Sequence, residues 1–157
     1  MKLKPNYFTI PLLTFTVAYL GRMFTTAGIQ SGWYETITKP AWTPSGSTIS
    51  LVWTTIFVLT AISALIVWNK CSRDTRFKKI IAVFILNGFL NFSWSFLFFG
   101  SGFVGFAVIW SGLIALTVGL LIYWIWSKSR LAAILLIPYL AWVCFATYLN
   151  YVIFTLN

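Results

Sequence analysis

Three tryptophans, two asparagines and a serine are the residues of this chain with chemistry to offer a partner. Trp53, Trp94 and Trp142 fall in three separate apolar stretches, and Asn87, Asn91 and Ser95 repeat every fourth residue within one of them. An indole N–H or a primary amide in an apolar setting needs an acceptor or a ligand, because an unbonded polar group is costly there. What is missing narrows the field further. The chain has no histidine and only two acids, Glu35 and Asp74. A general acid–base pair, a metal-ligand cluster and an axial histidine for haem are therefore not expected, and neither is a resident cofactor. The tryptophans and amides can instead wall a site for a flat, largely apolar guest. The competing reading is that they pack together and join helices.

The elements that must hold them follow from composition. Of 157 residues 60 % are hydrophobic and 8 % charged, against about 25 % charged in an ordinary soluble domain. That leaves too little charge for a water-facing surface and too much apolar content for disorder. The charges are separated by uncharged runs over 5–21, 40–69, 80–127 and 131–157. A bilayer core of about 30 Å needs about 20 helical residues, and backbone groups in lipid must bond internally. The third run is of double length and is interrupted by Phe99-Gly100-Ser101-Gly102-Phe103, which marks a turn. The prediction is an all-α membrane protein, a bundle of five transmembrane helices in a single domain over 1–157. The helices fall at roughly 5–26, 46–69, 79–99, 103–126 and 131–155.

Five helices put nine positive charges (Lys2, Lys4, Lys70, Arg73, Arg76, Lys78, Lys79, Lys128 and Arg130) on the side of the N-terminus, and only Arg22 and Lys39 on the other. The asymmetry predicts a cytoplasmic N-terminus and an outside C-terminus, with a bacterial plasma membrane as the expected location. The net charge of +9 is read as orienting the chain and meeting anionic membrane lipid, not nucleic acid. No A-x-A site follows the first apolar run, so it is read as a retained span. Cys71 and Cys144 lie on different elements and predict free thiols. Trp68, Trp124 and Trp126 sit at cytoplasmic helix ends, where an interfacial belt accounts for them.

By the same register Trp53, Trp94 and Trp142 share the outer half of the bilayer. Asn150 lies on the fifth helix, Pro138 predicts a kink just before Trp142, and Ala146 leaves room one turn later. The longest connection, roughly 27–47, carries three glycines, two prolines, two tryptophans and a tyrosine. It reads as an ordered lid above the three tryptophans. Gly105 and Gly112, seven apart, could seat another helix in a homodimer or within the monomer.

Three motifs give the chain a family likeness. Trp33-Tyr34…Lys39-Pro40-x-Trp42-x-Pro44, Asn87-x3-Asn91-x2-Trp94-Ser95-x2-Phe98-Phe99-Gly100 and Pro138-Tyr139-x2-Trp142-x2-Phe145-Ala146-x2-Leu149-Asn150 resemble the first-loop, third-helix and fifth-helix signatures of the translocator protein, or tryptophan-rich sensory protein, family. The resemblance implies a five-helix bundle, often dimeric, with a pocket beneath the first loop. It implies tetrapyrroles such as protoporphyrin IX, isoquinoline carboxamides and benzodiazepine-type drugs as ligands. In some bacterial members it extends to light-dependent oxidative breakdown of the porphyrin. Carried over by motif, the site would be Tyr34, Trp53, Asn87, Asn91, Trp94, Ser95, Trp142, Ala146 and Leu149, with Trp53 and Trp142 as the pair tied to the photochemistry. Two departures stand out. Ser45 replaces a proline common in the family, which predicts a looser lid hinge. No Lys or Arg follows Tyr151, so the sterol motif of some members is incomplete and cholesterol is not expected. Leu121-x-Tyr123-x4-Lys128 is only a loose match to it.

Three functions can be set against these residues. A tetrapyrrole receptor would hold the macrocycle among the tryptophans and satisfy its propionates with indole N–H groups, the Tyr34 hydroxyl or the asparagine amides. A transporter of tetrapyrroles or other small apolar molecules would have to work without an intramembrane acid or histidine, which speaks against coupled transport. An enzyme would lack a general base, leaving photo-oxidation driven by the porphyrin's own absorption as the one catalytic option.

Overall fold

The computed structural model describes residues 4–157, so Lys2 lies outside the described residues. The helices are α1 (Asn6–Gln30), α2 (Trp33–Thr36), α3 (Gly46–Lys70), α4 (Thr75–Ser95), α5 (Val104–Trp126), α6 (Arg130–Ile134) and α7 (Ile137–Leu156). Five segments are long and apolar enough to cross a bilayer: α1, α3, α4 with the turn that follows it, α5, and α6 with α7. Among the described residues there is no strand.

Helix starts follow from local capping. Ser45 caps α3, its Oγ accepting from the Thr48 N–H at 3.2 Å. The residue expected to loosen the lid hinge is thus part of a hydrogen-bonded helix start. Asp74 caps α4 through the Phe77 N–H at 2.8 Å and pairs with Lys128 at 2.7 Å. Its hydrogen bond from Lys128, and then that from the Phe77 amide, hold its carboxyl below the usual range. Arg76 Nη1 donates to Ser127 Oγ at 2.7 Å. Two basic loops are tied together in this way.

Three elements differ from the sequence reading. α1 runs four residues further, to Gln30, so the connection to α3 shrinks to 31–45 and contains α2. The turn expected at 99–103 begins earlier, as a π-helical turn over Phe96–Gly100. There the Ser101 N–H reaches back to Phe96 O at 2.9 Å, and the wider turn puts Phe98 into the core at 2 % exposure. Gly102 then takes φ +68°, open to glycine without strain. Lastly, the expected kink at Pro138 is a break at Leu135–Leu136 that splits the fifth span into α6 and α7. Pro138 stands in the first turn of α7, where its missing N–H interrupts no helical bond.

α5 packs against α4 and α7, and α1 against α3 and α4. α3 meets α6 at the end carrying the basic loops but barely touches α7. That basic end is closed by side chains removed from solvent, among them Val67, Ile80, Leu121, Ile125 and Leu136. Ser63 Oγ donates to Ala132 O there at 2.8 Å. At the opposite end, the thin α3–α7 contact leaves space inside the bundle.

Close approach of α1 to the α4 region depends on glycine. A Cβ on Gly28 would lie 2.6 Å from Phe99 O, and one on Gly21 3.2 Å from Ser95 Oγ. On α5, a Cβ on Gly105 would meet the Phe154 ring at 2.9 Å, whereas Gly112 has open space. The two ends of the predicted glycine stripe therefore differ: Gly105 seats α7 within the monomer.

Candidate ligand-binding site

The space between α1, α3, α4 and α7 is a cavity of about 450 Å³, within the ~300–1,000 Å³ of small-molecule sites. Helical spacing brings its walls together. Trp142, Ala146 and Leu149 stand at i, i+4 and i+7 on α7, and Asn91, Trp94 and Ser95 share a face of α4. Trp53 and Phe57 face them from α3, and Tyr34 reaches in from α2. Of the nine residues named by motif, Asn87 alone does not line the cavity.

Asn87 instead belongs to the floor. The Tyr139 hydroxyl donates to Asn87 Oδ1 at 2.9 Å and accepts from Asn91 Nδ2 at 2.8 Å. Asn87 Nδ2 donates to Thr117 Oγ1 at 2.9 Å, and that hydroxyl donates to Ile114 O at 2.8 Å. This chain joins α4, α5 and α7 beneath the cavity. Tyr139 is buried and stands edge-on to Trp53 with ring centroids 6.0 Å apart. Sequence reasoning left Tyr139 out of the site, although its place in the fifth-helix motif marked the position.

The indoles divide by the fate of their N–H. Trp94 Nε1 donates to Ala107 O at 3.1 Å, and its ring stacks on Phe98 at 5.3 Å. Trp94 offers a surface and no free donor. Trp142 Nε1 and Asn150 Nδ2 are buried without a partner, and both residues line the cavity. A ligand acceptor reaching either would remove the penalty of an unbonded donor.

The lid is anchored at both ends. Trp33 and Tyr34 pack on Phe98 and Phe99, with Trp33–Phe98 centroids 5.4 Å apart and Tyr34–Phe99 also 5.4 Å. Lys39 Nζ donates to the carbonyls of Tyr34 and Ile37 and lies over the Tyr34 ring. On the far side, Trp42 stacks on Tyr148 at 5.8 Å. Asn157 clasps Thr38, accepting from its N–H at 2.9 Å and donating to its carbonyl at 3.0 Å. Burial, and then the neighbouring Glu35, raise the Tyr34 hydroxyl above its ordinary value, so it stays a proton donor at neutral pH.

No acid lines the cavity, and its one charge is Arg22 on α1, a residue missing from the motif-based set. Its mark in the sequence was a charge inside a predicted span. The lining can stack on an aromatic plane and donate hydrogen bonds; it cannot abstract a proton. Elsewhere, Trp68 carries the Arg73 guanidinium over its ring at 4.3 Å, and Cys71 and Cys144 are free.

Comparison with known proteins agrees with this architecture. A profile of the TspO/MBR family matches residues 9–156. The chain is 33 % identical to a tryptophan-rich protein TspO of Bacillus cereus over 157 residues, covering 100 % of both. It is 36 % identical to a tryptophan-rich protein TspO of Archaeoglobus fulgidus, covering 93 % of each. It is 32 % identical to the human translocator protein, over 94 % of this chain and 90 % of that one.

Proposed function

The chain belongs to the TspO/MBR family of membrane proteins, and from that premise we propose that it is a membrane receptor whose cavity takes a tetrapyrrole, with protoporphyrin IX as the type ligand. Isoquinoline carboxamide and benzodiazepine-type compounds would compete for the same space. The observation that carries this reading is the placement of Trp53 and Trp142, from helices that barely touch, on one cavity. A flat aromatic body would sit between them. Tyr34 and the unpartnered donors of Trp142 and Asn150 can meet its polar groups. The bonded floor favours retention over passage towards the basic end.

The bound porphyrin would absorb visible light itself, and dioxygen would be the oxidant in any photo-oxidation. The chain would supply two oxidisable indoles and a confined geometry. Trp53 and Trp142 are the residues assigned to that role.

Titrating the purified protein with protoporphyrin IX should quench tryptophan fluorescence saturably. The Trp53→Phe, Trp142→Phe double variant should bind at least about tenfold more weakly, as expected when two indoles give way to smaller, less electron-rich rings without the N–H. Under illumination, bound porphyrin should bleach faster than porphyrin in detergent alone, and Trp53→Phe should slow it. Unchanged affinity in the double variant would remove the site; equal bleaching with and without protein would remove the photochemistry.

A further inference from the structure

Arg22 is a charge with no partner. It lies eight residues inside the lid end of α1, about 12 Å along the helix axis at 1.5 Å per residue. It lines the cavity with Tyr19, Thr25 and Trp53, and, like Tyr19, it is exposed. Among the described residues it makes no ion pair and no side-chain hydrogen bond: the one ion pair joins Asp74 to Lys128 at the other end of the bundle, and the Thr25 hydroxyl is turned back to Gly21 O. Glu35, the only other acid of the chain, does not pair with it. An unpaired charge within a spanning helix pairs with another group or marks a ligand path.

The remaining polar lining has the same bias. Trp142 Nε1 and Asn150 Nδ2 are donors without acceptors, and no carboxylate faces the cavity. A cavity with a cation at its α1 wall, unpartnered donors buried in its walls and aromatic faces is complementary to an acid on an aromatic body. Arginine's planar fork matches a carboxylate in two parallel hydrogen bonds.

We propose that the cavity selects carboxylate-bearing aromatic ligands and that Arg22 is the residue that recognises the acid. The proposal rests on the reading of the cavity as an aromatic-ligand site and adds the charge of the ligand and the group that reads it. Neutral analogues of the same shape would stack equally well but would leave Arg22 without its anion. A lipid phosphate is the rival partner for the guanidinium, and it predicts no discrimination between acid and ester.

The test compares protoporphyrin IX with its dimethyl ester, which keeps the macrocycle and removes both negative charges. The protein is held in nanodiscs of phosphatidylcholine, so the bilayer carries no net charge. The wild type should bind the diacid more tightly than the ester. Arg22→Gln should weaken diacid binding about tenfold, the order expected for a lost charged hydrogen bond, and leave ester binding within about twofold. Arg22→Lys should keep part of the preference. Equal weakening of both ligands by Arg22→Gln, or of neither, would overturn the assignment while leaving the aromatic site standing. Failure of the wild type to bind either ligand would overturn the site itself and this inference with it.

Discussion

At the scale of single residues, the structure separates groups that look alike in sequence. Trp94 and Trp142 both stand in family motifs on membrane helices, yet one N–H is spent on Ala107 O and the other is unpartnered. Asn87 and Asn91 share a helix face by spacing, yet only Asn91 lines the cavity. Spacing places side chains on a face; which acceptor lies opposite depends on a neighbouring helix that the local sequence does not name. Tyr139 was legible only as a motif member, because its role is to bond two asparagines presented by α4. Its removal has a defined cost. Tyr139→Phe would leave Asn87 Oδ1 and Asn91 Nδ2 unbonded beneath the cavity, a loss of about 1–3 kcal/mol. Thermal unfolding in detergent should show a lowered midpoint, and adding Asn87→Ala should cost less than it does in the wild type, because the groups share one network. An unchanged midpoint would show the network to be energetically idle.

At the scale of elements, the long apolar runs made all five spans readable, because bilayer thickness and backbone hydrogen bonding leave little else. What escaped were the local departures. The π-turn at Phe96–Gly100 adds no composition signal beyond the glycines already read as a turn, and α2 has four residues, too few for a periodic pattern. Pro138 was legible as a disruption, but its cheap accommodation at a helix start requires the break that precedes it. The α1 glycines make the element-level prediction. Gly28→Leu would drive a side chain into Phe99 O and the π-turn, which carries the Trp33 and Tyr34 contacts of the lid. A cost of about 1–3 kcal/mol is expected for such overpacking, with weaker porphyrin binding alongside it. Gly112→Leu, on open space, should leave both unchanged. Equal behaviour of the two variants in thermal melts and binding would contradict the assigned packing.

At the scale of the whole molecule, one end of the bundle is closed and the other is hollow. The basic loops, tied by Asp74–Lys128 and Arg76–Ser127, seal the first end. The lid, clasped by Trp42–Tyr148 and Asn157–Thr38, roofs the second. The positive charge bias predicts that the closed end faces the cytoplasm. In a chain with Cys71 and Cys144 replaced by serine, Lys79→Cys should react with an impermeant maleimide only in inside-out vesicles, and Thr36→Cys only in right-side-out ones. The reverse pattern would invert the topology. The role of the hollow end is decided by a structure of the protein with protoporphyrin IX bound. The macrocycle should lie between the rings of Trp53 and Trp142, above Tyr139 and beneath Tyr34. A porphyrin seated on the outer, lipid-facing surface of the bundle, with the space between those two indoles empty, would contradict it.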